Sequence, residues 1–194
     1  MNPNPMDLLM SWLEEERTAG ASHAQHAILS TNGVDGYPHG RVVAIREIQP
    51  EGFIFFTQKG TRKVEEMTEC PHVSLTFWQE RLAREVIIEG SAEFLSQSEN
   101  KRYWNTYSKW AQIRFHSYAA TSGQPIVDKQ VLEDKKRQIE ISYKEQALPM
   151  SEYYCGVYVR PKRMVFYAYR LDELSDVCEY EYKAGHWVKH LLSP

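Results

Sequence analysis

Cysteine is scarce in this chain of 194 residues, and the scarcity is informative. There are three, Cys70, Cys155 and Cys178, far apart and odd in number. They argue against a disulfide framework or a zinc knuckle and point to reduced thiols in the cytoplasm. No apolar run approaches the roughly 20 residues of a membrane-spanning helix. The start, Met1-Asn2-Pro3-Asn4-Pro5, has neither basic residues nor an apolar stretch, so no secretory signal is expected. A formal charge of −3 gives no global support for nucleic-acid binding. Linkers rich in Gly, Ser or Pro are missing, as are repeats and low-complexity segments, so residues 1–194 are expected to form one domain. The seven histidines make no metal case: His23 and His26 lack a carboxylate nearby in sequence, and a surface role is expected for them.

What is present is aromatic. Twelve tyrosines, seven phenylalanines and five tryptophans suit a β-rich core. Asn4 reads as the cap of a first helix with Pro5 at its first position, Leu9, Trp12 and Leu13 on its apolar face and Glu14, Glu15, Glu16 and Arg17 on its wet face. Strands are expected over His26 to Thr31, Gly40 to Ile48, Phe53 to Thr57, Val73 to Phe77 and Glu85 to Leu95, the last with a bulge or bend at Gly90. Ser96 and Glu99 form a capping box for a helix to about Thr106. Trp110 to Ser122 reads as a mixed segment, and Val127 to about Glu145 as a helix. Tyr153 to Val159, Arg163 to Tyr169, Val177 to Tyr182 and Trp187 to Leu192 read as further strands. Short turns between consecutive strands favour a mainly β, antiparallel barrel with flanking helices over a βαβ sheet.

One stretch carries chemistry. Arg41 and Arg46 precede Phe53-Ile54-Phe55-Phe56-Thr57, then the turn Gln58-Lys59-Gly60, then Thr61-Arg62-Lys63. Thr61 can cap a short helix with Val64 and Met67 inward, which puts Arg62 and Lys63 in its first turn. A helix start is already positive, so two cations there need an anion to offset them. A phosphate fits that requirement. The plain alternative is that both are solvated surface residues.

Taken together these motifs resemble the pyridoxamine 5′-phosphate oxidase family, the flavin-binding split barrels, from about Trp12 to Pro194. Arg41-Val42-Val43-Ala44-Ile45-Arg46, Gly52-Phe53 through Phe56-Thr57, and Gly60-Thr61-Arg62-Lys63 match the family's Arg-x-x-x-x-Lys, Gly-Phe-x-Phe-Tyr-Thr and Gly-Ser-Arg-Lys signatures. Ala83-Arg84-Glu85-Val86 with Glu89-Gly90 matches its Arg-Gln-Val and Glu-Gly strand. The resemblance implies a homodimer with FMN in clefts at the subunit interface. It assigns the FMN phosphate mainly to Arg41, Thr61, Arg62 and Lys63, and the rest of the cofactor to Val42, Arg46, Phe56, Thr57, Glu85, Thr121, Ser122 and Tyr167. Loop and core roles remain the alternatives for Thr121, Ser122 and Tyr167.

Departures from the family pattern gather on the substrate side. The family grips its substrate phosphate with Lys, Tyr, Arg and Ser; here those positions read Arg46, Tyr103, Tyr107 and Ala111. The family's Arg-Leu-His-Asp-Arg reads Arg170-Leu171-Asp172-Glu173-Leu174, leaving Arg170 as the catalytic, substrate-facing residue. Glu85 stands for a Gln, and an ionised carboxylate cannot donate a hydrogen bond. The resemblance implies hydride transfer from a substrate carbon to FMN, with reoxidation by oxygen, on pyridoxamine or pyridoxine 5′-phosphate. The departures leave open a flavin-binding relative acting on a different, non-phosphorylated small molecule, and a flavin- or haem-handling protein without turnover.

Overall fold

The computed structural model describes residues 4–194, so Met1, Asn2 and Pro3 of the N-terminal stretch lie outside the described residues. Helix α1, Pro5–Thr18, starts as its sequence dictates: Asn4 accepts a hydrogen bond from the Met6 amide at 3.0 Å and Pro5 takes the first position. Leu9 and Leu13 are buried, and Trp12 meets the Phe166 ring edge-on at 5.3 Å. Glu16 departs from expectation. Spaced seven residues from Leu9 and three from Leu13, it shares their inward face. It is 3% exposed, and its two carboxylate oxygens accept the amides of Arg81 and Leu82 at 3.0 and 3.1 Å. The helix is thereby tied to the turn between two strands.

Eight strands follow: β1 His26–Asn32, β2 Pro38–Gln49, β3 Gly52–Gln58, β4 His72–Gln79, β5 Arg84–Phe94, β6 Tyr154–Ala168, β7 Asp176–Lys183 and β8 His186–Leu192. They form one antiparallel sheet in the order β3-β2-β1-β4-β5-β6-β7-β8, and pairing of β3 with β6 closes the first six into a barrel. Inward residues of alternate positions, among them Leu29, Phe53, Phe55, Leu75, Phe77, Val86, Ile88, Val157 and Phe166, fill it.

The two strands expected over Tyr153 to Val159 and Arg163 to Tyr169 are one. Pro161 looked like a break, because it cannot donate to a ladder. It lies opposite Gly90, where the β5–β6 register shifts. A bulge is one of the few places a sheet tolerates proline. A Cβ on Gly90 would come within 2.2 Å of the Arg160 carbonyl oxygen, so only glycine fits this crossing. The first half of β6 thus closes the barrel against β3, and the second half carries β7 and β8 outward.

Helix α2, Arg62–Glu69, caps one end of the barrel. Helix α3, Gln97–Trp104, opens with the expected Ser96–Glu99 capping box. The segment read as mixed contains helix α4, Lys109–Ser117, capped by Ser108, whose hydroxyl accepts from the Ala111 amide at 3.3 Å. Its apolar residues do not fall on one stripe, which hid it from a periodicity argument. Helix α5, Gln130–Ser142, is shorter than the expected span. A second core of Trp104, Ile113, Leu148 and Tyr154 joins α3 and α4 to the barrel. All three cysteines are free, and no helix of the described residues is long and apolar enough to cross a membrane.

Replacing Glu16 by Ala removes the charged acceptor of the Arg81 and Leu82 amides and should cost about 1.5–3 kcal/mol, whereas Glu14→Ala, at an exposed position, should change stability by less than about 0.5 kcal/mol. Urea unfolding of both variants measures the difference; equal losses would mean Glu16 does not tie the helix down.

Candidate active site

The residues singled out in the sequence fall into three groups. The first lies where α2 covers the barrel mouth. Arg41, on β2, points inward and donates to the His39 carbonyl at 2.7 Å, to the Thr31 hydroxyl, and to Glu66 at 3.2 Å. Glu66 is 3% exposed and also bonds the Thr31 hydroxyl and His39 Nδ1. Burial alone would raise its carboxyl, but hydrogen bonds from Thr31, His39 and Arg41 outweigh burial and hold it below the ordinary value. Lys63 is lowered too, which for a base disfavours the charged form: burial pushes its ammonium down, the Arg41 charge pushes it further, and Glu66 offsets part of this. Arg62 reaches His39 Nε2 at 3.3 Å. Among the described residues neither Arg62 nor Lys63 has a carboxylate within ion-pair distance.

Thr61 occupies the cap position of α2, but its side chain does not cap. Its hydroxyl donates to the Gln58 carbonyl at 2.8 Å, closing the preceding turn. Its one donor is thereby spent, and the first amides of α2 have no side-chain cap. Thr121 and Ser122, half-buried, lie in a turn after α4; Gln124 of the same turn donates to the Gly60 carbonyl at 3.3 Å and brings the turn beside the start of α2.

The second group is aromatic. Phe56 stacks on Tyr154 with centroids 4.9 Å apart, and meets Tyr103 at 5.1 Å and Tyr107 at 6.0 Å. Thr57 beside it is buried. The β2–β3 register shifts between Ile45 and Glu47, leaving Arg46 as the extra residue. Such a bulge re-aims side chains. Arg46 lies over the Tyr107 ring at 5.2 Å and donates to the Thr106 hydroxyl at 3.2 Å, while Glu47 accepts the Tyr103 hydroxyl at 2.7 Å.

The third group lies on the barrel's outer face. Glu85 pairs across the ladder with Trp78 on one side and Tyr167 on the other, and Tyr167 packs on Tyr169 at 4.3 Å. Val42 is 67% exposed and sits opposite Ile28. Arg170 is exposed and donates through Nε and Nη2 to one oxygen of Asp176, at 3.1 and 2.8 Å, with Glu173 at 3.8 Å.

Comparison with known proteins settles the family. Residues 13–143 match the sequence profile described as "Pyridoxamine 5'-phosphate oxidase". A protein of a Nostoc species named pyridoxine/pyridoxamine 5′-phosphate oxidase is 31% identical over all of this chain and 90% of its own length. The chain belongs to the pyridoxamine 5′-phosphate oxidase family. A Rubrobacter xylanophilus protein of the same name is 29% identical over all of this chain and 88% of its own. Among solved structures, PhzG from Burkholderia lata, in complex with tetrahydrophenazine-1-carboxylic acid, superposes with a TM-score of 0.88 at 28% identity, covering all of this chain and 94% of that one. A pyridoxamine 5′-phosphate oxidase-related, FMN binding protein from Nostoc punctiforme has a TM-score of 0.80 over the whole of both chains; at 16% identity it shows the shared split-barrel fold.

For a pyridoxamine 5′-phosphate oxidase family chain, the sequence left Glu66, Glu47, Tyr154 and Gln124 unmarked. Glu66 was recoverable: it stands beside Met67 on the face of α2 that Met67 turns inward. Glu47 was not, because only the bulge turns it towards Tyr103. On β7 and β8, Glu179, Glu181 and His190 place ligand atoms within 4.8 Å of one another. Arg163 already bonds Glu179, and Lys183 bonds Glu181.

The Lys63 shift has a sign that can be tested. A base with a lowered folded-state value costs stability while charged, and the cost fades as pH rises through that value towards the ordinary lysine range. Without cofactor, Lys63→Met should therefore be more stable than the parent near pH 7, and the gap should close above about pH 10. Thermal melts of the two proteins across pH read the gap; a gap independent of pH would show that Lys63 charge is not strained.

Proposed function

We propose that this chain is an FMN-dependent oxidoreductase that dehydrogenates a small, partly reduced ring compound carrying no phosphate. The observation that carries the reading is the state of the substrate-phosphate positions. Tyr103 has its hydroxyl bonded to Glu47, Tyr107 is packed into an aromatic cluster, and Ala111 offers no hydroxyl. Arg46 supplies a cation there without a carboxylate in ion-pair distance among the described residues, and Arg102 lies over the Tyr103 ring at 5.0 Å. A phosphate dianion wants several charged or hydroxyl donors, whereas a flat ring suits the Phe56–Tyr107–Tyr154 surface. The likeness to PhzG supports this, since its ligand is a reduced tricyclic carboxylic acid without a phosphate. The relatives' names, the cation kept as Arg46 and the retained Tyr103 favour a second reading, oxidation of pyridoxine or pyridoxamine 5′-phosphate itself.

The barrel mouth fits FMN. Arg41 bonds the deeply buried Glu66, Arg62 reaches His39 beside it, and burial with the Arg41 charge disfavours the ammonium form of part-buried Lys63, which a bound anion would offset. In our reading Arg41, Arg62 and Lys63 hold the cofactor phosphate, and Thr61 fixes the turn that presents the first amides of α2 to it. Thr57 and Phe56 line the ring, with Val42, Arg46, Glu85, Thr121, Ser122 and Tyr167 contributing around it. FMN bound there supplies a two-electron acceptor for hydride from a substrate carbon, with oxygen restoring it. The aromatic cluster orients the substrate ring and excludes water. Arg170, grouped with the outer face, would serve the substrate end of the partner subunit's site, its charge offset by Asp176 and Glu173.

A homodimer completes this reading. Val42, Ile28, Thr76, Ile87 and Val165 run across five adjacent strands on the outer face, and Val42, Trp78 and Ile28 are 67, 53 and 44% exposed. Such a face suits a twofold contact. It also carries Glu85 and Tyr167, so a cofactor held at one subunit's α2 can reach these residues on the other.

Anaerobic titration of the yellow protein separates the readings. Bleaching by a dihydro- or tetrahydro-aromatic carboxylic acid, with none by micromolar pyridoxine 5′-phosphate, is expected. Bleaching by the phosphate ester alone would favour the second reading; flavin retained but bleached by neither points to a carrier. For the cofactor, changing Arg62 and Lys63 together to Ala should give folded, colourless protein, and a protein that stays yellow would remove them from the phosphate site.

A further inference from the structure

We infer that Glu47 is a specificity-determining residue: it spends the Tyr103 hydroxyl and fixes a negative charge beside Arg46, so the substrate subsite rejects a phosphate dianion and admits a neutral or singly charged group. The inference rests on the reading of Arg46, Tyr103 and Tyr107 as the substrate end of the site.

The geometry is that of a carboxylate held at both oxygens. Glu47 Oε1 accepts from Gln49 Nε2 at 2.7 Å and Oε2 accepts from the Tyr103 hydroxyl at 2.7 Å. The side chain is half-buried between β2 and α3 and cannot simply swing into solvent without losing two hydrogen bonds. Donors on both oxygens favour the ionised form: the Gln49 bond, then the Tyr103 bond, hold the carboxyl below its ordinary value against the opposing effect of burial. The same contact, added to burial, pushes the Tyr103 hydroxyl up, so it stays a neutral donor committed to Glu47. A phosphate reaching for Tyr103 would therefore lose that donor and meet a fixed like charge. Discrimination by an unpaired like charge is a recognised route to specificity, since it costs the wrong ligand more than it costs the right one.

What remains for a ligand matches a weaker demand. Arg46 has one hydrogen bond to a hydroxyl and no carboxylate partner within ion-pair distance among the described residues. Among the described residues the buried Tyr154 hydroxyl has no hydrogen-bond partner of good geometry; burial first, then the neighbouring Tyr107 hydroxyl, keep it protonated. An unsatisfied buried hydroxyl calls for an acceptor. One cation and one or two phenols suffice for a carboxylate or a ring carbonyl.

The test compares pyridoxine 5′-phosphate with pyridoxine, which differ by the phosphate alone. Binding of each to parent, Glu47→Gln and Tyr103→Phe protein is measured by calorimetry without air, with and without FMN. Glu47→Gln keeps the shape and removes the charge, and should tighten the phosphate ester by about tenfold or more while leaving pyridoxine within about twofold. Tyr103→Phe leaves the charge in place and should gain nothing for the ester. If Glu47→Gln tightens both ligands alike, or neither, while both bind, Glu47 does not select and the reading of the site stands. If neither ligand binds any of the three proteins, the site is misplaced and the inference falls with it.

Discussion

Glu66 is almost sealed from solvent, and Arg41 lies against it. A buried carboxylate is costly unless it is paired and hydrogen-bonded, and this one is held by Thr31, His39 and Arg41 together. Those partners come from β1 and β2, so the network pins α2 to the open end of the barrel. It also fixes the direction of the Arg41 guanidinium. Cations crowded at a helix start would otherwise repel one another; one buried acid steadies them without cancelling them. Burial, and after it the Arg41 charge, disfavour the ammonium form of Lys63, and an anionic ligand bound beside it would offset both.

Two irregularities in the sheet do the rest of the positioning. The bulge at Gly90 and Pro161 lets β6 run unbroken from the barrel into the β7–β8 extension, which carries the chain through Arg170. The bulge at Arg46 turns two consecutive side chains, one cationic and one acidic, towards α3 and α4. In a regular strand they would face opposite sides of the sheet, and Glu47 would have no access to Tyr103. A one-residue departure from the ladder thus decides the electrostatics of the pocket floor.

The sequence made the barrel legible because its strands alternate and its turns are short, and the cationic helix start was readable from dipole reasoning alone. The matching motifs then named the family. What stayed hidden has a common physical cause. Glu16 reads as solvent-facing because acids usually are, and Glu66 carries no mark in the sequence, yet each falls on an inward helical position with partners from residues distant in the chain. Pro161 looked like a strand break because the bulge that accommodates it is formed with Gly90, 71 residues earlier in the chain. Helix α4 lacked an apolar stripe because it packs through scattered aromatics onto Trp104 and Tyr154. Local pattern specifies an element; long-range pairing decides which of its polar residues go inside.

The two ends of the candidate site obey different constraints. At the cofactor end the ligand is proposed to be fixed, a mononucleotide with a dianionic tail, so the demand is for surplus positive charge held rigidly, and this chain keeps the family's Arg41, Arg62 and Lys63. At the proposed substrate end one family donor has become a ring, Tyr107, another is lost at Ala111, and the cation Arg46 sits on Tyr107 with an acid as its neighbour in the chain. A guanidinium over an aromatic face retains its outward donors, so it can orient a small polar group while the rings take up most of the contact area. Binding there would draw more on apolar contact and shape than on charge. That is the balance a planar, weakly charged substrate requires, while the cofactor mouth is held separately by the Glu66 network of α2, β1 and β2.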